Sequence, residues 1–193
     1  MDLVFVTNNK HKLREIKNLL GNQVNLLSLE DISFEGEIPE THETIEENAA
    51  EKAFFIYNMY KINCFADDTG LEIEALNGEP GVYSSRYAGD NVTYDDNIKK
   101  VLDRLKDSEN RKARFRTVLC LILDGKEYSF EGTVNGLILE EKSGKSGFGY
   151  DPVFVPDGFD KTFAELSITE KNLISHRGKA IQKLKAFLEN IVV

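Results

Sequence analysis

With 193 residues and 41% hydrophobic content, the chain can bury one sizeable core, so a single domain over residues 1–193 is expected. A net charge of −9 argues against a general nucleic-acid binder, whose affinity rests on a basic surface that neutralises phosphates. No apolar stretch approaches a membrane span, no basic-then-apolar leader is present, and Cys64 and Cys120 stand far apart outside any metal or redox spacing, so a soluble cytoplasmic protein without a membrane partner is expected.

Residues 2–7, with the run LVFV, read as a buried strand. Asn8 and Asn9 mark a helix start, and Leu13, Ile16, Leu19 and Leu20 form an apolar stripe that ends at Gly21. A second strand is predicted over 24–29. Thr44 with Glu47 is a capping-box pattern that opens a helix through Ile45, Ala49, Ala53, Ile56, Tyr57 and Tyr60. Two short strands are predicted at 64–66 and 71–75, with Asp67 and Asp68 at the turn between them.

Thr93 and Asp96 open another amphipathic helix, along which Ile98, Val101, Leu102 and Leu105 fall on one face. The β-rich runs 114–123 and 126–139 meet at Asp124-Gly125, a strong hairpin signal. The Gly-rich loop SGKSGFGYDP leads into a short strand at 153–155. A last helix is predicted over 169–190, burying Leu173, Ile174, Ile181, Leu184 and Leu188. Together these elements give an α/β fold with a mixed β-sheet flanked by helices.

Charge is unevenly spread. Residues 18–51 contain no Lys or Arg but hold Glu30, Asp31, Glu35, Glu37, Glu40, Glu43, Glu46, Glu47 and Glu51, while Lys and Arg gather near the two ends. Such a run is most often a solvated face; an anionic ligand held between a cationic pole and a metal-binding acidic pole also accounts for it.

Four stretches bear chemistry. Asp67-Asp68 is ordinary turn chemistry or a pair of oxygen ligands for a hard cation and a phosphorylated substrate. Thr7, Asn8, Asn9, Lys10, His11 and Lys12 lie where strand becomes helix, suited to a polyphosphate as well as to simple capping. Phe148, Gly149, Tyr150 and Asp151 place aromatic faces beside a permissive Gly, to stack a planar base or to plug the core. Lys171, Ser175, His176 and Arg177 are spaced off a single helical stripe, which suggests a bend between them. Ser143-Gly144-Lys145-Ser146 imitates the end of a P-loop, but Leu139 stands where its first Gly belongs and no helical pattern follows.

TNNKHK, ENAAEKA, ADDTGLEIEALNGEPGVYSSRYAG, SGFGYDPVF, and TFAEL with EKNLISHRGKA occur in order from residue 3 to about 185. This set resembles the inosine/xanthosine triphosphate pyrophosphatases, the HAM1-like family. The resemblance implies an elongated two-lobed domain with a central substrate cleft, and hydrolysis of ITP, dITP and XTP to monophosphate and pyrophosphate to cleanse the nucleotide pool. It also implies Mg²⁺ as cofactor and a homodimer.

Carried onto this chain, the resemblance makes Thr7 to Lys12 a phosphate site, with Asp68 the general base and a metal ligand. Thr69 contacts substrate, and Phe148 to Asp151, Lys171, His176 and Arg177 hold the base and nucleotide. Glu40 is the second metal ligand by bacterial spacing, Glu35 fits the archaeal and eukaryotic spacing, and Glu47 is a competitor with a capping role. Lys12 and Lys52 are leaving-group cations, unless Lys52 simply pairs with Asn48 one turn away. Asn8 replaces the Gly of the family's Thr-Gly-Asn pattern, and Asn tolerates a positive φ there. A pocket offering N–H donors to a 6-oxygen accepts hypoxanthine and xanthine but meets the amino group of adenine donor to donor.

Overall fold

The structure is a computed structural model that describes residues 1–21 and 24–191. It is an α/β fold whose mixed, seven-stranded sheet runs β2-β1-β3-β5-β6-β7, with β4 paired to β3. The strands are β1 (Asp2–Phe5), β2 (Asn25–Leu27), β3 (Cys64–Ile73), β4 (Pro80–Gly81), β5 (Lys112–Leu123), β6 (Lys126–Ile138) and β7 (Phe154–Pro156). The helices are α1 (Lys10–Leu20), α2 (Ile45–Tyr60), α3 (Tyr94–Arg104), α4 (Ile168–Ile174) and α5 (His176–Ile191). Among the described residues no helix is long and apolar enough to cross a membrane.

The chain forms two compact units, and β3, β5 and β6 each contribute to both. The first comprises 1–68, 117–132 and 177–193. In it β1 lies between β2 and β3, parallel to both, with Val4 opposite Leu27 and Cys64. Parallel strands covered on both faces read as unbroken apolar runs, and Leu3, Val4 and Phe5 are all buried. Phe5 stacks on Phe65 at 4.7 Å, and Ile16 and Leu20 of α1 join Ile181, Leu184 and Leu188 of α5 in the same core.

The second unit comprises 69–116 and 133–176. Its core gathers Leu71, Ile98, Val101, Phe115, Phe154 and Phe163. β4 pairs antiparallel with the end of β3, and β7 pairs antiparallel with β6. The capping box of α3 forms as its Thr and Asp predict. The β5–β6 hairpin turns through Asp124 and Gly125 at φ 50° and 80°, the two positive values a tight hairpin turn needs.

Three expectations are corrected. The strands predicted at 64–66 and 71–75 are one continuous strand, β3, which runs straight through Asp67, Asp68, Thr69 and Gly70. Gly70 is not among the positive-φ glycines and is required for close approach: a Cβ there would lie 2.8 Å from the carbonyl oxygen of Gly81 on β4. The short strand at 153–155 is shifted by one residue, because a 3₁₀ turn over Asp151–Val153 with Pro152 in it precedes β7. The last helix, across which the spacing of Lys171, His176 and Arg177 suggests a bend, is two separate helices. Ser175 takes the extended conformation, φ −70° and ψ 159°, which ends α4 and starts α5, and Leu173 is 65% exposed rather than buried.

Candidate active site

Consecutive residues of a strand point to opposite faces, so the two adjacent acids of β3 have different surroundings. Asp67 meets α1 and α5. Lys12 Nζ donates to its Oδ1 at 3.0 Å, while Arg177 Nε and its terminal nitrogen donate to its Oδ2 at 3.2 and 3.1 Å. Arg177 also donates to Glu15 Oε2 at 2.6 Å. Two cations and two carboxylates thus balance inside the first unit, all of them largely withdrawn from solvent. Burial pushes the Asp67 carboxyl up, but Lys12, Arg177 and Lys52 outweigh it and hold the group far below the usual carboxylate range. Burial draws Lys12 below its ordinary value despite Asp67.

Asp68 meets α2 instead. Lys52 Nζ donates to Asp68 Oδ1 at 3.2 Å and also to Glu40 Oε1. One ammonium therefore serves two carboxylates. Asp68 Oδ2 is buried with no hydrogen-bond partner. Such an atom is costly unless something binds it. Burial, together with Glu40 and Asp67, raises the Asp68 pKa above its ordinary value in spite of Lys52 and Lys12. For Lys52 the pull of Asp68 and Glu40 overcomes burial and raises its pKa. A carboxylate pair that shares a lysine, one of whose oxygens is buried without a partner, has the donor set for a hard divalent cation or for a proton. Among the described residues no group of three or more His, Cys, Asp or Glu side chains is gathered for a metal.

Of the three candidates for a second acidic ligand, Glu40 is the one bonded to the lysine that also holds Asp68. Glu47 accepts from the hydroxyl of Thr44 at the start of α2; Glu35 and Glu40 are both exposed, so the shared lysine is what distinguishes Glu40. Lys52 does not pair with Asn48, which is committed to the backbone of His42.

The turn from Thr7 to Lys12 caps α1. Asn9 Oδ1 accepts from the backbone N–H groups of His11 and Lys12 at 2.9 and 3.2 Å, and Thr7 Oγ1 accepts from Asn9 N. The first turn of α1 is thereby partly satisfied from within. Lys10 and His11 are exposed, while the Lys12 ammonium is drawn in toward Asp67. Asn8 is not among the residues with positive φ, so its replacement of Gly carries no strain; its side chain points toward the carbonyl of Gly36.

In the second unit Lys171 Nζ donates to Asp151 Oδ2 at 2.6 Å, and the same oxygen accepts from Phe148 N at 2.9 Å. Gly147 is required there, since any Cβ would collide with that carboxylate. Lys171 also lies over the half-buried Phe148 ring at 5.0 Å, and Tyr94 flanks that ring at 6.1 Å. Gly149 adopts φ 62°. Tyr150 is a core plug whose hydroxyl donates to Ser84 O at 2.9 Å. His176 lies face to face with Phe115 at 4.6 Å and 16°. Thr69 is half-buried on β3. The Ser143–Ser146 decoy is a loop in which Gly144 packs against the backbone of Ala164.

His176 and Arg177, adjacent in the chain and expected together at the nucleoside end, fall in different units. Arg177 belongs to the Asp67 cluster. Sequence reasoning missed Glu15, although a signal existed: it stands three residues after Lys12 on the same helix, so the two can share a face. It also missed Tyr94, Phe115 and Phe163, whose ring contacts are purely tertiary.

The Ham1 family model matches residues 3–187. The dITP/XTP pyrophosphatase of Flavobacterium johnsoniae is 55% identical over 184 residues, covering 95% of this chain and 96% of that protein. The dITP/XTP pyrophosphatase of Christiangramia forsetii is 53% identical over 188 residues, covering 97% and 99%. Among solved structures, the Ham1 protein of Staphylococcus aureus matches with a TM-score of 0.89 at 40% identity, covering 98% of this chain and 99% of that one. A HAM1 protein of Coxiella burnetii matches at 0.90 and 39%, with the same coverage. This chain belongs to the Ham1 family.

Proposed function

We propose that this chain is a Mg²⁺-dependent pyrophosphohydrolase that converts dITP, XTP and ITP to the monophosphate and pyrophosphate. Relatives about half identical over nearly the whole chain bear the name dITP/XTP pyrophosphatase. The observation that carries the chemistry is the buried, unpartnered Oδ2 of Asp68 beside a lysine shared with Glu40.

Water attacks the α-phosphorus, and Asp68 Oδ2 takes its proton. Burial raises the pKa of the Asp68 carboxyl, which favours proton uptake. Lys52 and Lys12 absorb charge on the departing pyrophosphate. Asp68 and Glu40 would hold a Mg²⁺ ion, which when bound would supply further neutralisation of phosphate charge. Asp67 serves differently: it is locked between Lys12 and Arg177 and orders the cations around the site.

For the nucleoside, Phe148, steadied by Lys171 and Asp151, offers an aromatic face to a purine. Gly149, His176 and Thr69 complete our assignment of substrate contacts. A cytoplasmic homodimer without nucleic-acid or membrane partners belongs to the same proposal, its dimeric state checked by sedimentation. The test of function is product analysis with ITP, dITP, XTP, ATP and GTP in the presence of Mg²⁺ and of EDTA. Pyrophosphate from the first three, abolished by EDTA, is expected; orthophosphate as the first product refutes attack at the α-phosphorus.

A further inference from the structure

One face of α2 reads the chain ahead of it in reverse register. Asn48 Oδ1 accepts from His42 N at 2.9 Å and its Nδ2 donates to His42 O at 3.2 Å. Glu51 accepts from Thr41 N at 2.8 Å and from Thr41 Oγ1 at 2.7 Å. Lys52 donates to Glu40. Residues 48, 51 and 52 thus grip 42, 41 and 40 in turn. The spacing is commensurate: four residues of helix rise about 6 Å, and two residues of extended chain span roughly 6.6 Å.

Segment 28–44 has no helix or strand, so nothing regular fixes where Glu40 stands. Pro39 restricts the backbone just before it. Further upstream, Phe34 packs edge-on against Phe55 and Tyr60 of α2 at 6.0 and 6.4 Å. The segment is therefore tied to α2 on both sides of Glu40. Asn48 is almost wholly buried, so its two bonds to His42 are sheltered from competing water.

We infer that Asn48 and Glu51 are positioning residues that hold Glu40 against Lys52, and so build the cation site that Glu40 forms with Asp68. This rests on the proposed metal role of Glu40 and Asp68. Neither residue touches substrate in this scheme; both act through Glu40.

The test is Mn²⁺ binding to the full chain without nucleotide, read by electron paramagnetic resonance of the free metal, alongside hydrogen exchange in metal-free protein. Glu51→Ala should weaken Mn²⁺ about five- to tenfold and expose the Thr41 amide to exchange. Glu51→Gln, which keeps one acceptor oxygen, should weaken it less. Asn48→Ala should act in the same direction, and Glu51 supplies the readout if that buried substitution impairs folding. In a Glu40→Ala background, Glu51→Ala should add no further loss, because the two act on one coordinate. Unchanged Mn²⁺ affinity in folded Glu51→Ala, or the same loss with Glu40 already removed, overturns the inference while leaving the metal role of Glu40 standing. Unaltered Mn²⁺ binding in Glu40→Ala itself overturns that role, and the inference with it.

Discussion

The two faces of β3 treat two identical side chains in opposite ways. On the α1/α5 face, Asp67 accepts from Lys12 and Arg177, with Glu15 balancing the arginine. On the α2 face, Asp68 shares Lys52 with Glu40 and leaves one buried oxygen unpartnered. A buried carboxylate that is fully compensated is strongly ionised and inert, whereas one that is under-compensated is held at a cost and is ready to take a metal ion or a proton. Adjacency in sequence concealed this division, because the pleat sends neighbours to opposite sides.

The largest expected effect is on turnover. Asp68→Asn keeps the shape but removes the carboxylate proposed as base and metal ligand, so kcat should fall by roughly a hundredfold to ten-thousandfold in a folded protein. Near-normal turnover would erase the distinction between the two faces. Next is the stability of the compensated face. Arg177→Ala leaves Asp67 and Glu15 short of a buried cation, and should cost about 3–5 kcal/mol in denaturant unfolding. A loss below about 1 kcal/mol would mean that the Asp67 cluster is not the lock described here.

A smaller effect separates the proposed phosphate contact from the proposed nucleoside contact. Lys12→Ala should weaken inhibition by inorganic pyrophosphate about tenfold and leave inhibition by inosine unchanged. Phe148→Ala should do the reverse, since loss of base stacking is worth about 1–3 kcal/mol. The two inhibition constants, measured in each variant, settle the assignment; if both variants weaken the same product half, it fails.

Much of the fold was legible because its signals are local. The apolar run of β1, the Thr93–Asp96 capping box, the Asp124-Gly125 turn and the interruption near Ser175 are each set by residues within a few positions of one another. The continuity of β3 was not. Asp-Asp-Thr-Gly has turn chemistry, and only Lys12, Lys52 and Arg177, at separations of 55, 16 and 110 residues, make those acids tolerable in a buried strand. For the candidate site, the sequence offers a list of residues but not their grouping. Lys12 and Asp68 stand among the candidates, but that Arg177 serves Asp67, that Glu15 balances it and that α2 grips residues 40–42 are all consequences of tertiary pairing.

The contrast between the faces reduces to one paired experiment: thermal unfolding of Asp67→Asn and Asp68→Asn at neutral pH without added metal. An acid whose pKa is lowered by folding contributes stability at neutral pH, and one whose pKa is raised subtracts it. Asp67→Asn should therefore lower Tm by roughly 10 °C, corresponding to about 3 kcal/mol in a domain of this size. Asp68→Asn should leave Tm unchanged or raise it, since its neutral amide relieves the burial of an under-compensated charge. Equal losses in the two variants, or a larger loss for Asp68→Asn, would contradict the assignment of a locking role to one carboxylate and a reactive role to the other.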